Sequence, residues 1–232
     1  MFTTAGETRL IIGASDRAWP SASAAGRAAV ALVAAALWEK HDSSVPTTTL
    51  SVRIGETYDE VVKGSTYPVV QNSVPPDDQP YYGGSTWISS PAVVIAFSDP
   101  EHGFTLPPTK FGAVGYAYRK VVTITSSPML DALPFDQAIA LLNRLQVDFK
   151  RAGWLPIERS GERPPTWFNT ETVSGLAELR AGSTRELVAG DKYFMYFNFK
   201  CWDGCYPERN SKSVYLIDVG IGETLASETR QL

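Results

Sequence analysis

Histidine and cysteine are scarce in this chain of 232 residues, with two of each. A structural or catalytic metal centre built on imidazole and thiolate draws three or four such ligands together. His41 and His102 stand far apart, and the cysteines have no second pair to complete a zinc set. Long apolar runs are missing too. The longest, Ala28 to Trp38, is 11 residues, where a helix crossing a bilayer needs about 20. No basic run exists, and Lys and Arg (21) are outnumbered by Asp and Glu (25), giving a net charge of −4. Phosphate backbones demand a basic face, so nucleic acid is excluded as a partner. There is no G-x-G-x-x-G after Ile12, no P-loop around Lys63-Gly64-Ser65, and no G-x-S-x-G about any serine. Dinucleotide binding, P-loop chemistry and an α/β-hydrolase nucleophile lose their sequence support, and no cofactor motif is left.

An ordinary globular composition remains, 44% apolar and 20% charged, with 6 Trp, 10 Tyr and 10 Phe to fill a core or supply anchors. The chain divides near residue 46. Residues 1–45 form a leader with an Ala-rich, helix-favouring stretch from Ser21 to Lys40. Arg27 precedes its apolar run and Trp38 closes it, as flanks of a membrane anchor would. Eleven apolar residues suit an anchor-like or signal-peptide core, or a buried helix. Glu7 and Asp16 in the leader are foreign to a signal peptide, and no small-x-small cleavage site follows Ala36.

Residues 46–232 read as a domain opening on Leu50 to Ser65. Leu50, Val52 and Ile54 alternate with polar neighbours, as in a half-buried strand. Gly55 ends the strand, and Thr57-x-x-Glu60 is a capping box for a short helix. Ala92 to Phe97 predicts a strand, and Phe111 to Thr125 a hairpin turning near Arg119-Lys120. Phe135, Ala138, Ile139, Leu142, Leu145, Phe149 and Ala152 make one apolar stripe at helical spacing. Gly153 stops that helix, and Trp154 packs back on its last turn. A polar connector over 158–166 is a possible subdivision; a weaker helix over Thr170 to Ala181 follows it. An aromatic strand over Asp191 to Lys200 pairs with Val214 to Gly220. The expected class is α+β: antiparallel sheets packed against one long amphipathic helix and shorter helices.

Candidate functional residues lie in loops. Asn72 to Gly84 carries Asp77, Asp78, Tyr81 and Tyr82, which read either as a packed cover or as a recognition surface with acidic partners for a basic protein. Cys201 and Cys205 bracket Trp202 at a hairpin tip. A disulfide there suits an oxidising compartment, and two reduced thiols are the alternative. Trp202 on a stapled tip would be an exposed anchor. His102, in the turn Asp99 to Gly103, is the one candidate general base, and in such a turn it reads as solvated. The acid pairs Asp77 with Asp78 and Asp99 with Glu101 also read as solvated. No catalytic set emerges.

Two likenesses add to this. Ile54 to Val61, behind an anchor-like segment, is similar to the helix start of BamE/SmpA-like envelope lipoproteins. That likeness implies a structural module of envelope assembly. The blocks Ser51 to Val62, Pro91 to Pro108, Ser127 to Trp154 and Lys192 to Ile217, spanning 47–222, resemble membrane-tethered periplasmic proteins of Gram-negative bacteria encoded beside type VI secretion lipase effectors. This resemblance implies a non-catalytic immunity protein. It would be held at the inner membrane by its N-terminal segment, facing the periplasm, and would inhibit an incoming phospholipase. A hydrolase using His102 is the remaining alternative.

Overall fold

The computed structural model describes residues 47–77, 83–88, 92–157, 166–205 and 213–224. The Ala-rich stretch, Asp78, Tyr81, Tyr82 and most of the 158–166 connector lie outside the described residues. No helix among the described residues is long and apolar enough to cross a membrane.

Alternating side chains build the strands. In chain order these are β1 (Thr48–Val52), β2 (Ser73–Val74), β3 (Gly84–Ile88), β4 (Val93–Phe97), β5 (Phe104–Thr105), β6 (Phe111–Ala117), β7 (Lys120–Ser127), β8 (Leu133–Pro134), β9 (Leu155–Pro156), β10 (Ser183–Ala189), β11 (Tyr193–Asp203) and β12 (Val214–Glu223). Three helices accompany them: α1 (Tyr58–Gly64), α2 (Phe135–Arg151) and α3 (Val173–Ala181). A nine-stranded sheet runs β2-β3-β6-β7-β12-β11-β10-β9, with β8 also against β12. Every pairing in it is antiparallel.

This overturns the expected fold class. Among the described residues strand outweighs helix, 44% to 23%, and the large antiparallel sheet organises the domain, with α2 laid on it. The stripe on α2 misled because it is the strongest periodic signal in the sequence, whereas strands reveal themselves only in short alternations. The second sheet, β1-β4-β5, also departs from expectation, because β1 and β4 run parallel. Their strand signals lie 45 positions apart in register (Thr48 opposite Val93), too far for local pattern to pair them.

One face of the large sheet meets α2 and the small sheet. Val114, Ile124, Met195, Phe197, Ile217 and Val219 from the sheet share a cluster with Leu142, Leu145 and Phe149 of α2 and with Leu50, Val52, Ile95 and Phe97 of the small sheet. Leu141 and Gln146 of α2 are buried as well, although they lie off the stripe read from the sequence. The α2 helix ends on Gly153 at φ +76°, where Gly153 donates to the Lys150 carbonyl and Trp154 to that of Phe149.

The Leu50 to Ser65 stretch is clamped at both ends. Gly55 donates to the Val121 carbonyl and Tyr58 to that of Arg119, each at 2.8 Å, tying the start of α1 to the β6–β7 turn. Ser65 and Thr66 side chains accept from the backbone of β1. The capping box is present: Thr57 N–H donates to Glu60 Oε2 at 2.8 Å, and Glu60 N–H to Thr57 Oγ1 at 3.4 Å. Thr57→Ala removes the cap and is expected to cost about 1 kcal/mol. Urea unfolding measures it; an unchanged midpoint would show the clamp to β7 suffices.

Candidate interaction surface

The geometry of the turn at Asp99 decides the fate of the candidate base. His102 was read as solvated, yet it is only 9% exposed. Its Nδ1–H donates to the Ala152 carbonyl at 3.1 Å, its ring stands edge-on to Tyr193, and its own carbonyl accepts from Trp154 Nε1 at 3.1 Å. Gly153 and Gly190 press against the ring, so closely that a Cβ on either would lie 3.3 Å from it. The second ring nitrogen lies 3.9 Å from the exposed Glu101 carboxylate. No hydroxyl or thiol among the described residues bonds to the imidazole. Beside it is a shallow depression lined by Glu101, Thr105, Asp148 and Arg151.

Asp99 was likewise read as solvated and is buried, 7% exposed. Its carboxylate accepts from the backbone N–H of Glu101 (2.9 Å) and His102 (2.8 Å) and from the Tyr193 hydroxyl (2.7 Å). Burial pushes the carboxyl up; the Tyr193 hydroxyl, the two N–H groups and the charge of Lys192 outweigh it and hold it below its ordinary value. Burial and the bond to Asp99 push the Tyr193 phenol up. Local pattern cannot reveal this pairing, because its partners are 94 residues apart. No group of three metal-ligating side chains occurs among the described residues.

The face of the large sheet turned away from α2 has a different character. Registers across five strands align Trp87, Ala113, Thr125, Gly220 and Tyr196 in one row. The adjacent row is Ser85, Gly115, Thr123, Gly222 and Phe194. The three central strands β6, β7 and β12 thus present only Gly, Ala and Thr in these rows. Trp87, 60% exposed, stands on one flank, and Tyr196 on the other, packed edge-to-face with Phe194 at 4.6 Å. The result is a trough with a small-residue floor and aromatic walls. Its length follows the strands, and exposed Phe111 closes one end. Some polar groups on the same face are engaged with each other: Ser127 with Asp218, Thr184 with Asn198, and Lys200 in an ion pair with Asp218.

Of the residues read from the sequence as partner-binding, Asp77 is exposed, after β2. Trp202 is 64% exposed at the far end of β11, and Cys201 and Cys205 on either side of it are joined by a disulfide with Cα atoms 5.8 Å apart. A register shift between Cys201 and Asp203 turns the strand there and lifts Trp202 outward. Tyr196 and Trp202 therefore share one strand. The Trp87 wall went unread, since only the pairing order of distant strands puts it opposite Tyr196. Alternation in β11 did show aromatics on both faces.

Comparison of this chain with family models, with curated proteins and with solved structures finds no match.

Proposed function

We propose that this chain is a non-catalytic binding protein of the immunity type, which inhibits a cognate secreted phospholipase in the periplasm. The observation that carries the reading is Trp202. It is a large exposed aromatic on a tip closed by the Cys201–Cys205 disulfide. Such a tip is ordered before any partner arrives, so little conformational freedom is lost when it docks. Buried Trp side chains are also among the strongest interface anchors. Structural disulfides belong to oxidising compartments, which agrees with a periplasmic site of action. The titratable groups considered for catalysis, His102 and Asp99, are engaged in packing and in holding a turn. The resemblance to proteins encoded beside type VI lipase effectors supplies the class of target. On the same reading, the Ala-rich N-terminal stretch tethers the domain to the inner membrane.

The test pairs the full chain with the lipase encoded by the neighbouring gene. Binding by calorimetry and protection of cells expressing the lipase in their periplasm are the expected results. Trp202→Ala is expected to weaken binding by about 2 kcal/mol or more, roughly thirtyfold, with thermal stability unchanged. Absence of both binding and protection would end this reading.

A further inference from the structure

We infer that the Cys201–Cys205 disulfide is a redox switch that decides where Trp202 stands, and that a dithiol reductant is the reactant that throws it. This deepens the proposed function and rests on it for the use made of Trp202, but the switch itself is argued from geometry.

Length carries the first step. A strand advances about 3.3 Å per residue, so four steps cover about 13 Å. Cys201 and Cys205 are four steps apart, yet their Cα atoms are separated by 5.8 Å. Disulfides hold Cα atoms within about 7 Å of one another. The bridge and a straight strand through 201–205 therefore exclude each other. While the bridge is closed the chain has to double back, and Gly204 at φ +69° takes the left-handed backbone of that corner.

Register carries the second. Cys201 faces Tyr215 and Asp203 faces Val214. Two successive residues of β12 thus oppose three of β11, and Trp202 is the extra one, a bulge. If the register of Phe199 with Ile217 and Cys201 with Tyr215 simply continued, Trp202 would stand opposite Val214 and Asp203 opposite Ser213. Trp202 would then lie along the sheet, on the face of β11 that carries Asn198 and Lys200. Besides the bridge, two side-chain hydrogen bonds hold the fold-back. Gly204 N–H donates to Asp203 Oδ1 at 2.7 Å, and the Ser213 hydroxyl to the Gly204 carbonyl at 2.6 Å. Once the bridge opens, these compete with the ladder bonds that a regular strand regains.

Access carries the third. Cys205 is exposed and Cys201 half-buried, so a thiolate of the reductant meets Cys205 Sγ. The S–S bond breaks, and Cys201 leaves as a thiolate that takes up a proton. The reductant's second thiol then attacks its own sulfur in the mixed disulfide, and Cys205 leaves in the same way. Two electrons and two protons reach this chain, and the dithiol becomes a disulfide. Exposed disulfides are the readily reduced, regulatory ones. This one closes a short loop beyond the core residues Phe199 and Tyr215, so opening it is expected to leave the domain folded. A chain still in the reducing cell interior would keep its anchor flat on the sheet, and arrival in an oxidising compartment would present it.

The test follows the full chain, labelled with fluorotryptophan, by fluorine NMR; the Trp202 resonance is the one missing from Trp202→Phe. Millimolar dithiothreitol in native buffer is expected to free both thiols, to move the Trp202 resonance and to leave that of buried Trp154 in place. Nuclear Overhauser contacts of the reduced protein are expected to pair Trp202 with Val214. The double variant Cys201→Ser with Cys205→Ser is expected to give the reduced spectrum without reductant. Reduced protein is expected to bind the lipase encoded by the neighbouring gene at least tenfold more weakly than oxidised protein. A bridge that yields only after denaturation, a Trp202 resonance indifferent to reduction, loss of cooperative unfolding on reduction, or equally tight lipase binding by both forms would overturn the proposal. A Trp202 that moves as expected while the lipase binds neither form would leave the switch standing and remove only the proposed function.

Discussion

Replacing Trp154 by alanine is expected to destabilise the domain by about 4 kcal/mol, the upper part of the range for deleting a buried aromatic. Its ring is fully buried. It lies against Phe97 of the small sheet (6.1 Å between centroids), Phe104 of β5 (6.0 Å) and Tyr193 of the large sheet (6.3 Å, stacked). These belong to three separate strands, and α2 ends immediately before the indole. No neighbour can swing into the vacated volume, because Phe97 and Phe104 are themselves held by Tyr193 and Phe149. The cavity would persist, and its volume adds to the lost transfer energy. The His102 carbonyl would also lose the Nε1–H donor, at a further cost of about 1 kcal/mol.

For a domain of this size, 4 kcal/mol corresponds to a fall in melting temperature of roughly 10 °C. It is also a large share of the 5–15 kcal/mol that typically separates folded from unfolded states. Trp154→Phe keeps most of the volume and loses the donor, so it is expected to cost about half as much. Trp87→Ala is the contrast: an exposed aromatic on the sheet face turned away from α2, expected to shift stability by less than about 0.5 kcal/mol. Chemical denaturation of the three variants orders them. A Trp154→Ala loss no greater than that of Trp87→Ala would mean the junction is not where the two sheets and α2 are joined.

The sequence exposed this protein unevenly, and the reason is distance along the chain. The α2 stripe, its Gly153 stop and the Thr57 cap are local patterns, and each is present. Trp154 was legible as a residue folding back on the helix end, but not as the meeting point of two sheets. The parallel pairing of β1 with β4 and the bond from Tyr193 to Asp99 join segments that periodicity cannot connect. The same holds for the trough. Gly220, Gly222 and Gly115 each look like an ordinary flaw in a strand; only the order β6-β7-β12 brings them side by side. Asp99 and His102 of the 99–103 turn are buried against expectation, because a Pro/Gly-rich turn usually points outward, while Glu101 is exposed as expected. Here the turn is pinned beneath the end of α2, and burial follows from the tertiary contact.

That same turn should make the protein acid-sensitive through one carboxylate. Asp99 receives three hydrogen bonds and holds residues 99–103 against β11. Its folded-state pKa lies below its ordinary value, so its ionised form stabilises the fold. The contribution is complete above the unfolded carboxylate range, near pH 4, and is lost as pH falls through the depressed folded value. Asp99→Asn keeps the shape but not the charge. It can still accept the two backbone N–H bonds through its oxygen, while its amide faces the Tyr193 hydroxyl in place of an acceptor. Charged acceptors make the stronger bonds, so the substitution is expected to cost on the order of 2 kcal/mol at neutral pH. Protonation of the wild-type carboxyl would produce much the same loss. Urea unfolding of both proteins from pH 7 to about pH 3 should therefore show the gap between them narrowing as the acid is approached. Tyr193→Phe removes one of the stabilising bonds and raises the Asp99 pKa toward the ordinary range, so a smaller pH-dependent contribution is left to lose and its loss is complete at a higher pH. A gap between wild type and Asp99→Asn that stays constant with pH would show that the carboxylate charge does not hold the turn.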